Sequence, residues 1–206
     1  MRQLVVTVLA LCLCYGPATS RGARGLDLSE LAGAYEAKTE IAVPREEGVE
    51  GRTDPNVLPD WVVIETTNLL VIEPLAVDAA YVRADLSFSN YHGCAVREVM
   101  SVEAGMLVLR MDDGSESPSQ RCVLRLRPSQ SELVFEDEQS ADGSVSCNFF
   151  FCGARGGLHG ESFPRASRVF PPPTEDTSRC PSCGPSNAEL ARRAAIEEWR
   201  VRREGE

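Results

Sequence analysis

Short runs in which apolar and polar residues alternate occupy most of the chain between Trp61 and Glu136. In Ala79–Ser89, for example, large apolar residues are interleaved with Arg83, Asp85 and Ser87. A period of two is typical of a strand with one buried face and one wet face. Such runs recur about every ten residues without helical patterns between them, which predicts an antiparallel barrel or sandwich of about eight strands.

Turn-forming residues set the limits of the predicted strands. Trp61–Glu65 and Leu69–Glu73 are predicted to form a hairpin around Thr66–Asn68, because three polar residues separate two β-rich runs. The segment Cys147–Pro164 begins with three phenylalanines and is predicted to supply the last strand and a glycine-rich loop. The remaining predicted strands are Ala79–Ser89, Ala95–Glu103, Met106–Met111, Cys122–Arg127 and Glu132–Glu136.

The first 60 residues follow other patterns. Residues 1–20 combine a basic start, an apolar run and the small residues Ala18–Ser20, which predicts a signal peptide cleaved after Ser20. Residues 21–60 are predicted to be a flexible N-terminal region. Within it, either a first strand over Leu31–Val43, with Tyr35 inward, or a short helix over Leu28–Ala37 fits the pattern.

The rest of the chain is divided by composition. Residues 61–168 are predicted to form the barrel-like domain, and residues 169–186 a linker rich in proline and cysteine. Residues 187–206 are predicted to form a C-terminal helix that begins after Ser186 or Asn187 as its cap. Its candidate packing residues are Leu190, Ala191, Ala194, Ala195 and Trp199.

Cysteine usage indicates an oxidising compartment. Two of the eight cysteines lie in the predicted signal, which leaves Cys94, Cys122, Cys147, Cys152, Cys180 and Cys183. An even number in an exported chain favours disulfides over a metal site, and no metal site or cofactor is expected. Three bridges are expected, with the pairing open. A redox dithiol at Cys180 and Cys183 is the less favoured alternative.

The charge of the chain limits its partners. The full chain has a formal net charge of −10, and removal of Arg2 with the signal leaves −11. Such a surface repels nucleic acid and anionic lipid and favours a basic protein partner. After signal removal no transmembrane segment is predicted, and we expect a monomer in the periplasm or outside the cell.

Three side chains are candidates for binding. Arg155 lies among glycines just after Cys152, where a guanidinium can contact a partner or clamp the loop through backbone carbonyls. His92 and His159 are the only two histidines. His159 precedes Ser162 by three residues, but the surrounding sequence lacks the pattern of a nucleophile elbow. No catalytic residue is therefore assigned, and the chain is predicted not to be an enzyme.

Several segments resemble a group of small exported proteobacterial proteins that end in a Cys-Gly-Ala-Arg-Gly motif. The matching segments are Leu70–Leu75, Ala80–Arg83, Phe88–Cys94, Cys122–Leu126 and Cys152–Gly157. The resemblance implies a lipocalin-like barrel and a link to lysozyme-inhibitor-type modules. Two positions depart from the group, because Tyr91 replaces a glycine and Gly93 replaces a small polar residue. The extension Cys180–Glu206 has no counterpart in it.

The sequence therefore predicts an exported, non-catalytic binding module. The preferred version is a lysozyme-inhibitor-like envelope protein that uses its acidic loops, at Glu46–Asp60 and Asp112–Asp142, and the Arg155 loop. The alternative is a structural protein of the envelope that docks onto a partner through its C-terminal helix. A thiol oxidoreductase is the third possibility.

Overall fold

The computed structural model describes residues 25–112, 121–138, 147–153, 156–170 and 187–205. Eight antiparallel strands form one sheet in sequence order, which curls into a nearly closed barrel. The predicted fold class is confirmed. The strands are β1 Gly33–Pro44, β2 Trp61–Ala76, β3 Ala79–Phe88, β4 His92–Glu103, β5 Met106–Asp112, β6 Arg121–Pro128, β7 Glu132–Asp137 and β8 Ser162–Pro164; the helices are α1 Leu28–Leu31, α2 Asn148–Phe151 and α3 Asn187–Glu204.

The barrel begins earlier in the chain than the predicted domain start at Trp61. Both N-terminal interpretations are present one after the other, since α1 leads directly into β1. Asp27 caps α1 by accepting a 2.9 Å hydrogen bond from the Ser29 amide. Tyr35 is fully buried and donates its hydroxyl to the carbonyl of Leu31 at 2.8 Å. That bond fastens the short helix to the first strand.

The predicted hairpin around Thr66–Asn68 is wrong, because β2 runs through these residues without a turn. Its partner is β1, which pairs with β2 from Gly33–Ile72 to Pro44–Trp61. Thr66 lies opposite Thr39, and β-branched threonines suit a pleated ladder. The polar residues that indicated a turn are therefore positions within a long two-stranded ribbon.

The barrel interior is filled with side chains. Tyr35, Phe135 and Phe163 are fully buried, with the two phenylalanine rings edge to face at 6.3 Å. Each such side chain contributes roughly 2–3 kcal/mol through burial. The barrel is closed between β1 and the residues that follow β8, where Ala34 and Val169 exchange backbone hydrogen bonds of 2.9 and 2.8 Å. This packed interior leaves the loops and the outer walls as the accessible surfaces.

The two ends of the barrel differ in their connections, because sequential antiparallel strands turn at alternate ends. The short-turn end carries the connections at 77–78, 104–105 and 129–131. The long-loop end carries the connections at 45–60, 89–91 and 138–161, and β5 ends and β6 begins there too. Residues 154–155, which include Arg155, and residues 171–186, which include Cys180 and Cys183, lie outside the described ranges.

Candidate binding surface at the long-loop end

The turn between β3 and β4 is strained. Asn90 and Tyr91 have φ angles of 61° and 56°, a left-handed conformation that suits glycine and, less well, asparagine. For a side chain as large as tyrosine this conformation costs roughly 1–2 kcal/mol. Tyr91 is also 53 % exposed, so core packing does not offset the cost. Strain of this kind is characteristic of positions that serve a ligand.

The far half of the β1–β2 ribbon lies against this turn. The Asn90 amide donates to the carbonyl of Ala42 at 2.7 Å, and the Ala42 amide donates to the Ser89 hydroxyl at 3.2 Å. Ile41, Val43 and Val62 form a separate small core there. The ribbon therefore brings its connecting loop to the side of Tyr91.

That connection, residues 45–60, is called the acidic loop. It is anchored where Arg52 and Val63 exchange backbone hydrogen bonds of 2.9 and 2.8 Å. Gly51 is required beside them, since a Cβ at this position would lie 2.8 Å from the carbonyl oxygen of Val63. The Arg52 guanidinium pairs with Glu40 at 2.9 Å and Asp54 at 2.8 Å. Hydrogen bonds from Asn56 and Arg52 hold the pKa of Asp54 below its ordinary value.

The remaining carboxylates of the acidic loop face solvent. Glu46, Glu47, Glu50 and Asp60 are exposed, and none of them forms an ion pair within the described ranges. Leu58 is 61 % exposed in the same loop. Leu58 is therefore an exposed apolar side chain among carboxylates that have no ion-pair partner in the described part of the chain.

Residues 147–153 and 156–158 form a segment pinned by two disulfides. Cys147 is bonded to Cys122 of β6, and Cys152 to Cys94 of β4. The segment Cys147–Pro164 supplies the last strand as predicted, but at its end, as β8, and not at the phenylalanines. Its first residues form α2, where the Phe150 and Phe151 amides donate to the carbonyl of Cys147 at 3.0 and 3.1 Å. A strand is disfavoured here because the two cysteines must reach two strands that are not neighbours.

The three phenylalanines of this segment have different environments. Phe150 and Phe151 pack against the barrel core, while Phe149 is 79 % exposed. The Asn148 side chain fixes the position of the chain at Leu158, because its oxygen accepts a 2.8 Å hydrogen bond from the Leu158 amide. The long-loop end therefore presents Leu58, Tyr91 and Phe149 to solvent, on three separate connections.

Of the three predicted binding residues, the structure describes His92 and His159. His92 lies at the start of β4 beside the pinned segment, where a Cβ on Gly153 would be 3.3 Å from its Nδ1. His159 is exposed, and its Nδ1 accepts a 3.3 Å bond from the Asp137 amide, so its ring also supports the loop. Arg155 falls on residues that are not described. Tyr91 was singled out in the sequence only as a departure, and Leu58 was missed because no local pattern marks an exposed leucine.

The C-terminal helix α3 packs against the outer wall of β3 and β4. Ile196 is buried against Ala79, Tyr81 and Val99, with Ala195 and Trp199 partly buried beside it. Of the predicted packing residues, Ala195 and Trp199 pack here, whereas Leu190 is 50 % exposed and Ile196 was not predicted. Two ion pairs set the face that is used: Arg192 makes two hydrogen bonds to Glu73, and Arg203 contacts Asp78 at 2.9 Å.

No family model, curated protein or solved structure matches the chain. Within the described residues, no three metal-ligating side chains come together as a metal site. No helix in the described part of the chain has the length and apolar character to cross a membrane.

Proposed function

We propose that the protein is an exported binding module that recognises a basic protein through its long-loop end. The carrying observation is that the strained, exposed Tyr91 lies at the same end of the barrel as the acidic loop. Carboxylates of this loop have no ion-pair partner among the described residues. Two disulfides are compatible with an exported protein.

The chemistry of this end fits protein recognition. Exposed aromatic and aliphatic side chains such as Tyr91, Phe149 and Leu58 can bury apolar area, and they supply most of the affinity in such interfaces. Glu46, Glu47 and Glu50 accelerate encounter with a cationic partner and select against anionic ones. The preferred partner is a basic lysozyme, so that the module acts as an envelope inhibitor of lysozyme.

The test incubates mature protein with a panel of basic lysozymes and measures both inhibition and complex formation at low and high salt. Replacing Glu46, Glu47 and Glu50 with glutamine should slow association at least tenfold and remove most of its salt dependence. The matched control replaces Glu30, Glu197 and Glu204, which carry the same charge elsewhere, and should leave association nearly unchanged. Absence of both inhibition and complex with every lysozyme eliminates this partner.

The alternative function, docking of the C-terminal helix onto an envelope partner, depends on Leu190 and Val201, which are 50 % and 62 % exposed on α3. Replacing both with serine leaves the buried face of α3 intact. If this variant loses a partner captured from envelope extract while the acidic-loop variant retains it, the helix is the binding element.

A further inference from the structure

Strands β4 and β5 separate soon after their shared turn. They pair only from Glu103–Met106 to Ser101–Val108. Beyond that point β5 stays paired with β6, as far as Asp112–Arg121, while β4 stays paired with β3. A gap therefore opens between β4 and β5 toward the long-loop end, where the two disulfides carry α2 across it.

The edge of β4 that faces this gap has backbone groups that bond to no described residue. The Val102 amide donates to Asp78 on the β3 side at 2.8 Å, whereas the carbonyl of Gly93 accepts a 3.0 Å bond from Gly153 on the other side. Because alternate residues of a strand point their backbone groups to opposite sides, odd-numbered residues of β4 face the gap. Ala95, Arg97 and Val99 have no ladder partner there among the described residues.

The chain itself already adds backbone to one end of this edge. Cys152 forms an antiparallel bridge with Cys94, next to the bond between Gly153 and Gly93. An extended peptide that runs along Arg97–Val99, beyond the residues of α2, would add its backbone to the same edge. We propose that this edge of β4 receives an extended segment of a partner protein as an added strand, independently of the acidic loop.

The side chains around the gap define the segment that fits. Glu98 lies two residues from both Val96 and Met100, so its position in β4 is on the same, barrel-facing side as theirs. It forms no hydrogen bond with any described residue. Burial and the nearby Glu198 raise its pKa, while Arg202 opposes the rise. A lysine or arginine on the barrel-facing side of the added strand could donate a hydrogen bond to the Glu98 carboxylate.

The outer side of the gap suits an apolar residue. A cleft of about 290 Å³ lies where β4 and β5 diverge beside α3. Val99, Leu109 and Trp199 contribute apolar surface, and the charges at its rim are largely paired, Arg110 with Glu103 and Arg203 with Asp78. The occupant is therefore an extended segment that alternates basic residues facing the barrel with apolar residues facing the cleft.

The probe is the capped, fluorescein-labelled hexapeptide Thr-Lys-Val-Lys-Val-Thr. We expect saturable binding by fluorescence anisotropy and slower hydrogen exchange at the amides of Arg97 and Val99. Because the chain has two tryptophans, Trp61→Phe leaves Trp199 as a fluorescence reporter of cleft occupancy. Glu98→Gln should weaken binding about fivefold through loss of one partly screened ion pair, and Glu36→Gln on another wall should not.

Three further peptides test the mode of binding: two methylated forms, one for each register, and one in which glutamate replaces lysine. Methylation of alternate backbone nitrogens in one of the two registers should abolish binding, and replacing lysine with glutamate should abolish it as well. The proposal is overturned if the peptide does not bind, if both methylated forms bind as well as the parent, or if Glu98→Gln has no effect. The acidic-loop variant should bind the peptide normally, which separates this site from the proposed lysozyme face.

Discussion

The tight turns at the two ends of the barrel differ in which residues take positive φ angles. At the short-turn end, the connection between β4 and β5 takes positive φ angles at Ala104 and Gly105, of 49° and 80°. At the long-loop end, the connection between β3 and β4 takes them at Asn90 and Tyr91. At each turn the first of these residues has a side chain, but the second is glycine at the short-turn end and an exposed tyrosine at the long-loop end. An exposed aromatic residue in a strained turn is what the proposed recognition at the long-loop end requires.

Electrostatics separates the two ends in the same way. Near the short-turn end, Asp78 is paired with Arg203 at 2.9 Å and Glu103 with Arg110 at 2.7 Å. Glu46, Glu47 and Glu50 at the long-loop end have no such partners in the described part of the chain. Surface pairs contribute little stability, about 0–1 kcal/mol each. The contrast therefore matters more for what each end attracts than for how firmly it folds.

The largest effect is expected from removing a disulfide at the long-loop end. The Cys94–Cys152 bond closes a sequence separation of 58 residues, and Cys122–Cys147 one of 25. Replacing Cys94 and Cys152 together with serine should lower the free energy of unfolding by about 4 kcal/mol, because the unfolded chain gains conformational freedom. Chemical denaturation measures the loss. Hydrogen exchange should locate the first opening at α2, and an equal loss of protection at the short-turn end would contradict the comparison.

A smaller effect is expected from Gly105→Ala at the short-turn end. Space is not limiting, since no atom lies within 4 Å of the added Cβ, so only the backbone conformation resists the change. The positive φ of 80° should reduce the free energy of unfolding by about 1 kcal/mol. Thermal denaturation checks this, with Gly25→Ala as a control that also adds its methyl group to open space.

The reverse substitution is expected to act oppositely at the long-loop end. Tyr91→Gly relieves a φ of 56° but also frees the unfolded chain, so the net gain in stability should be at most about 1 kcal/mol. Binding to the basic partner should weaken in the same variant, because an exposed aromatic contact is lost. Tyr91→Phe keeps the ring and the strain, so it serves as the control for both measurements. A variant that is more stable and binds equally well would remove Tyr91 from the site.

The sequence was sufficient for the architecture of the barrel and insufficient for the closure of its long-loop end. Alternation over Ala79–Ser89 and the short gap between Ala95–Glu103 and Met106–Met111 predicted local strands correctly, because these features depend on neighbouring residues. The continuous β2 and the helix α2 depend on distant partners. Thr66 is in a strand because Thr39 lies opposite, and Phe150 is in a helix because two disulfides fix the ends of its segment.

The candidate sites also depend on tertiary contacts that the sequence does not show. The charge of the acidic loop is visible in the sequence, but the meeting of Ala42 with Asn90 that brings this loop to Tyr91 is a tertiary contact. The predicted packing face of α3 included Leu190 and omitted Ile196. Ile196 is buried instead, since Arg192 and Arg203 reach Glu73 and Asp78 only when that face is turned to the wall.

The smallest expected effect concerns Glu98, on the wall between the two ends. Burial raises its pKa above the ordinary value of 4.5, so the folded state binds a proton more tightly than the unfolded state does. Wild-type stability attributable to this group is therefore greatest below pH 4.5 and falls as the pH rises through the raised value. Glu98→Gln should accordingly unfold at a higher denaturant concentration than wild type at pH 7, and the difference should disappear near pH 4. A difference that is constant across this range would mean that Glu98 is ionised as readily in the folded chain as in water, and that it carries no unmet charge for an added strand to pair with.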